Sequence, residues 1–124
     1  MNEPHPAGPN VVLDVDYKSG VFELVLLNLG DEAAFDVRVE FSRSLQGAGG
    51  RNTISELPLW SRLTVLLPGK EIRVFFDTAP NVFRTRYRKK FSVKVTWRSS
   101  TRQRFEAKYQ HDLDAYRDMP EIVM

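Results

Sequence analysis

Nine basic residues and no acidic one fall between positions 78 and 105: Arg84, Arg86, Arg88, Lys89, Lys90, Lys94, Arg98, Arg102 and Arg104. Residues 1–77 hold seven basic against eleven acidic side chains and residues 106–124 two against five, so a net charge of only +2 conceals one strongly positive stretch. Guanidinium and ammonium groups gathered in this way can hold phosphates, anionic lipid headgroups or an acidic protein surface. The densest run, Arg84, Arg86, Arg88, Lys89 and Lys90, is therefore the candidate partner-binding site. In an extended backbone Arg84, Arg86 and Arg88 project from one side, Lys90 keeps that parity, and Lys89 opposes it unless a bulge intervenes. Arg98, Arg102 and Arg104 extend the patch along the outer face of the hairpin that follows. Phe83 and Tyr87 interleave with the arginines but share the parity of the core residues downstream, which favours packing over base stacking. A run of this kind also serves a purely structural end, keeping an exposed strand soluble and guarding it against edge pairing.

Other chemistries find less support. The chain has no cysteine, which excludes a disulfide framework, a thiolate nucleophile and Cys-ligated metals. Its two histidines, His5 and His111, stand far apart, short of the converging ligand set of a zinc or iron site. Asp14 with Asp16, Asp112 with Asp114, and Asp31-Glu32 beside Asn28 are carboxylate pairs of the kind that contribute to Ca²⁺ sites, but solvated strand faces and a loop end account for them. Ser42, Ser44, Ser55 and Ser61 have no motif placing a base beside them. Gly47, Gly49 and Gly50 form a glycine-rich loop that leads into Arg51-Asn52-Thr53 rather than the Gly-Lys-Ser/Thr that opens a phosphate-binding helix, and reads as a mobile crossover. The expected protein is not an enzyme, with no catalytic residue, cofactor or metal.

The elements that must position the charged residues are strands. With 42% hydrophobic residues, among them eight Phe, four Tyr and two Trp, the chain can bury one core, and its apolar residues sit in short runs rather than helical stripes. Val11, Leu13, Val15 and Tyr17 oppose Asp14 and Asp16; Val37, Val39 and Phe41 alternate with Asp36, Arg38 and Glu40; Ile72, Val74 and Phe76 alternate with Arg73, Phe75 and Asp77. Residues 21–29 are apolar on both faces and are predicted to be covered on both. Residues 83–98 keep one parity throughout, with a break predicted near residues 88–90. Ser99-Ser100-Thr101 is taken as the loop of the final hairpin, which pairs Val95 with Phe105, Lys94 with Glu106 and Arg98 with Arg102. Lys18-Ser19-Gly20 and Pro68-Gly69 are turns, the second of type II. Beyond Gln110 residues 111–116 continue the last strand, the preferred reading, or turn into a short helix before Pro120, and a frayed tail follows. The prediction is an all-β, immunoglobulin-like β-sandwich of about seven antiparallel strands, with residues 1–10 a disordered leader, 11–118 the sandwich and 119–124 a tail.

Leu24-Val25-Leu26-Leu27-Asn28-Leu29-Gly30, followed by Ala34-Phe35-Asp36-Val37-Arg38-Val39, resembles the hairpin of bacterial immunoglobulin-like domains of the cell-adhesion-related (CARDB-like) type. Pro68-Gly69 before an apolar strand is similar to a second feature of those domains. In such a hairpin Asn28 bonds the turn backbone through its side chain and Gly30 takes a left-handed conformation. The resemblance implies a stalk, spacer or partner-binding module, often one part of a surface or membrane-attached protein, and no catalytic residue. The expected function is a non-catalytic interaction module, monomeric or weakly self-associating, that contacts an unknown protein partner. The alternatives are a binder of polyanions, nucleic acid or an anionic membrane surface, through residues 84–90, and a structural component of a larger assembly. The first ten residues lack the features of a secretory signal and no run approaches the ~20 apolar residues of a membrane span, which suggests a cytoplasmic protein if the chain is complete as given and otherwise an excised domain of a membrane-attached one.

Overall fold

Nine strands and two short helices are formed in the computed structural model, which describes residues 8–84 and 89–119. The strands are β1 (Val11–Lys18), β2 (Val21–Asn28), β3 (Ala34–Phe41), β4 (Gln46–Gly47), β5 (Asn52–Thr53), β6 (Leu63–Leu66), β7 (Glu71–Thr78), β8 (Lys90–Arg98) and β9 (Arg104–Asp112). The helices are α1 (Leu59–Arg62) and α2 (Ala79–Arg84). Period-two alternation is realised as two antiparallel sheets, β1-β2-β7 and β6-β3-β8-β9, with β4 and β5 a small separate ribbon. The sheets pack as an immunoglobulin-like sandwich. Their inner faces bury Leu13, Phe22, Leu24 and Leu26 from the first sheet against Val37, Val39, Val93 and Val95 from the second. On the outer face of β2, Val21 and Leu27 are only half-buried; Val25 is buried there between its cross-strand neighbours Asp14 and Arg73, so same-face side chains take the place of the predicted second cover.

One end of the sandwich is built around Asn28, which is fully buried. Its Oδ1 accepts from the amides of Asn10 (3.1 Å) and Gly30 (2.9 Å), and its Nδ2 donates to the carbonyls of Glu32 (2.8 Å) and Leu66 (3.0 Å). Its own amide donates to Lys70 and its carbonyl accepts from Gly69. Gly30 serves this end differently from the prediction. Its φ is not positive; a Cβ there would collide with the Gly8 carbonyl and press on Asn10 N and Pro9 Cα. Residues 8–10, predicted as part of the leader, are instead packed: Gly8 and Pro9 are buried, the Gly8 amide donates to Asp31 Oδ1 (2.8 Å), and the Trp97 indole donates to the Pro9 carbonyl (3.2 Å). The Pro68-Gly69 turn is type II as expected, with Gly69 at φ 75° and the Lys70 amide donating to Leu67.

At the other end the predicted mobile crossover is anchored. Leu45 and Ile54 are buried, and the buried Asp77 carboxylate accepts from the amides of Gly49 (3.0 Å) and Thr78 (2.8 Å) and from Asn81 Nδ2 (2.8 Å). Asn81 belongs to α2, so Phe83 and Arg84 end a helix whose Val82 enters the core, rather than opening a strand. The last strand ends at Asp112 and is followed by a 3₁₀ turn, Leu113–Tyr116, that buries Leu113, so the alternative of a short helix holds there in place of the preferred strand.

The free edge of β1 is closed by side chains. Tyr109 Oη donates to the Val11 carbonyl (3.1 Å), His111 Nε2 donates to the Leu13 carbonyl (2.9 Å), and the Val15 amide donates to Asp14 Oδ1 (2.8 Å). Backbone groups that would otherwise template a foreign strand are thereby occupied.

Two outcomes follow. Asn28→Ala strips four backbone groups, that of Leu66 buried, of their side-chain partner and is expected to cost about 2–4 kcal/mol in urea unfolding, with Gly30→Ala destabilising in the same direction by displacing residues 8–10. Burial raises the Tyr109 pKa above its ordinary value of 10.0, and burial with the charges of Asp14 and Asp16 raises that of Tyr116. A raised acid stabilises the fold fully below its unfolded pKa and loses that contribution as pH climbs through the folded one. Unfolding free energy is expected to fall above about pH 10, and Tyr109→Phe, which loses about 1 kcal/mol at neutral pH with its hydrogen bond, is expected to flatten that fall.

Candidate functional site

The basic stretch is divided by the fold. Arg84 is exposed at the end of α2, Lys90 is exposed at the start of β8, and Lys89 is half-buried with its carbonyl accepting from Leu113. Arg86 and Arg88 lie outside the described residues. Eight steps along β8 separate Lys90 from Arg98, about 26 Å at ~3.3 Å per residue, so the two ends of the stretch cannot meet on one small ligand.

Around Arg98 the pairing differs from the prediction. The β8–β9 loop has five residues, 99–103, rather than three, so every cross-strand partner shifts by two while inward and outward parity is retained. Val95 faces Ala107, Lys94 faces Lys108 and Arg98 faces Arg104. The loop length is set by Ser99, whose Oγ accepts from the amides of Thr101 (3.3 Å) and Gln103 (3.2 Å) while its own amide donates to Gln103. Like charges thus stand opposite one another twice, which is unfavourable in an isolated pair. Lys94 is relieved by Glu40 of β3, at 3.4 Å. Arg98, Arg102 and Arg104 form no ion pair among the described residues.

A third strand brings a further arginine to this place. Between β3 and β8 the register slips: Phe35 pairs with Arg98 but Arg38 pairs with Thr96, a β-bulge in which Asp36 adopts φ 50°. Asp36, Arg38, Thr96, Trp97, Arg98 and Arg104 line a cleft of about 230 Å³. On the inner side of the same strands the buried Trp97 ring stacks on Phe105 at 5.8 Å. Arg38 also forms no ion pair among the described residues; its Nη1 donates to the carbonyl of Val37 (3.2 Å). Unpaired guanidinium groups on a fixed sheet are suited to bidentate recognition of carboxylate or phosphate. Arg38 lies far from the basic stretch in sequence, and its outward parity was the only signal available; its membership depends on β3 pairing with β8.

The opposite outer face, on β1-β2-β7, has the reverse character. Arg73 Nη1 donates to Asp16 (2.7 Å) and Glu23 (3.1 Å), and its Nε donates to Glu71 (2.9 Å). Those hydrogen bonds, Asp16 first, hold the guanidinium pKa above its already high ordinary value. Among the described residues no three side chains of metal-ligating type are arranged to hold a metal ion. Of the remaining carboxylate pairs, Asp31 binds the Gly8 amide and Asp112 caps the Asp114 amide (3.0 Å).

The family model for a domain of unknown function, DUF8453, matches residues 4–117. The chain belongs to the DUF8453 family. In this DUF8453 domain the matched segment runs from before β1 to beyond β9, and so contains the Asn28 node, the arginine cleft and the acidic opposite face. Comparison with curated proteins returned no match.

If the arginines are held together at some expense to the fold, removing one relieves repulsion. Arg98→Thr is expected to raise unfolding free energy by roughly 0.5 kcal/mol at low ionic strength, with the gain shrinking as salt is added; denaturation at two salt concentrations measures it.

Proposed function

We propose that this domain is a non-catalytic interaction module that docks an acidic protein surface on the outer face of its β6-β3-β8-β9 sheet. The observation that carries the reading is the gathering of Arg38, Arg98 and Arg104, without ion pairs among the described residues, around one cleft. A purely solubilising surface has no need to place arginines opposite one another when Glu106 lies one outward position away on the same strand. Apolar side chains border the cleft: Phe35 is half-exposed opposite Arg98, and Val65, its partner on β6, is 39% exposed. Arginine beside exposed apolar surface suits a protein partner. Asp36, Glu40 and Glu106 interrupt the positive field, which favours discrete carboxylates over the continuous charge of nucleic acid or a membrane. The likeness of the β2–β3 hairpin to bacterial cell-adhesion-related domains points to the same kind of role.

The test is fluorescence anisotropy with a labelled Glu-rich peptide containing Leu and Phe, and with single-stranded nucleic acid, at low and physiological salt. Arg98→Ser/Arg104→Ser is expected to weaken peptide binding roughly tenfold or more, equivalent to about 1.4 kcal/mol, while Lys89→Ser/Lys90→Ser leaves it unchanged. Nucleic-acid binding that depends on residues 84–90 and is indifferent to Arg98 and Arg104 would overturn the reading in favour of a polyanion binder.

A further inference from the structure

The docking face just described has a matching surface on the other side of the same molecule. We infer that its partner is a second copy of this chain, which presents the outer face of β1-β2-β7. This rests on the reading of the arginine face as a docking surface and adds the identity of the occupant.

Charge complementarity carries the inference. The outward positions of β1, β2 and β7 hold four carboxylates, Asp14, Asp16, Glu23 and Glu71, against two cations, Lys18 and Arg73. Three of the carboxylates are oriented by Arg73, and their side chains remain 32–48% exposed, so they are held in place yet available to a second cation. Asp14 is exposed, and the one hydrogen bond its carboxylate makes among the described residues is to the amide of Val15. Apolar surface matches as well: Phe75 is 46% exposed on the acidic face, as Phe35 and Val65 are beside the arginines. Continuation of the sheet through β1 is the competing mode of self-association, and Tyr109, His111 and Asp14 occupy backbone groups on that edge. Stacking of unlike faces is therefore favoured over strand pairing.

Because the two faces lie on opposite sides of one sandwich, the contact is heterologous and each added copy leaves one face of each kind free. Exposed charges give it little strength at physiological salt, so assembly is governed by concentration and ionic strength.

Sedimentation velocity from roughly 10 μM to 1 mM protein, at low and high salt, is expected to show association that grows with concentration and fades with salt. Arg98→Glu/Arg104→Glu blocks the basic face and Glu71→Lys/Phe75→Lys blocks the acidic one, all at exposed positions outside the core and away from the β1 edge, with urea midpoints confirming that each variant folds. Each variant alone is expected to remain monomeric. An equimolar mixture is expected to associate, since each variant keeps one intact face of opposite kind. Wild-type protein that stays monomeric at 1 mM and low salt, self-association unaffected by either pair of substitutions, or a mixture that does not associate would overturn the inference. If the wild type stays monomeric yet binds the acidic peptide through Arg98 and Arg104, this inference fails while the docking surface stands.

Discussion

A fully buried amide side chain organises one end of this domain. Asn28 occupies a position where the chain leaves β2, and within hydrogen-bond reach it meets the entering segment at Asn10, its own turn at Gly30 and Glu32, and the end of β6 at Leu66. An amide suits this place because it offers two donors and two acceptor sites to backbone groups of both kinds. A leucine would leave all four unsatisfied, and an aspartate would face two carbonyls with no donor of its own. The two sheets are thereby tied at this end through one side chain, with Gly30 kept small so that residues 8–10 can lie across it.

Asp77 works similarly at the opposite end, for a different reason. Three donors and no carbonyl converge on its carboxylate, so a group that only accepts is the better fit. Through Gly49 it holds the long β3–β6 connection against the edge of β7, and through Asn81 it holds the start of α2. The sandwich is thus secured at both ends by buried polar residues, while the space between the sheets is filled by apolar side chains.

With both ends and the β1 edge occupied, the two broad outer faces carry most of the interaction capacity. Their difference in charge arises from strand order. Arg38, Arg98 and Arg104 come together because β3 and β9 flank β8, whereas Asp16, Glu23, Glu71 and Arg73 come together because β1 and β7 flank β2. The first group is left without ion pairs among the described residues and the second is internally neutralised in part, which is why the arginine face, despite its own carboxylates, is the more demanding of a partner.

Parity, turn chemistry and fold class were determined by the sequence alone, because they are local. Which of Val11, Leu13, Val37, Val39, Val93 and Val95 point inward follows from alternation, and the turns at Ser19-Gly20 and Pro68-Gly69 follow from the dihedral preferences of Gly and Pro. Asn28 was legible as a turn-bonding residue, but its reach to Asn10 and Leu66 was not. Tertiary structure alone decided the rest. Ser99 lengthens the last hairpin loop by two residues, changing each partner while keeping each face, a difference to which alternation is blind. The helix at residues 79–84 takes in Phe83 and Arg84, where the strand-like parity begins, because Val82 finds the core and Asn81 finds Asp77. The arginine cleft needed the β3–β8 pairing and the bulge at Asp36, which join residues some sixty positions apart through backbone hydrogen bonds that no local pattern encodes.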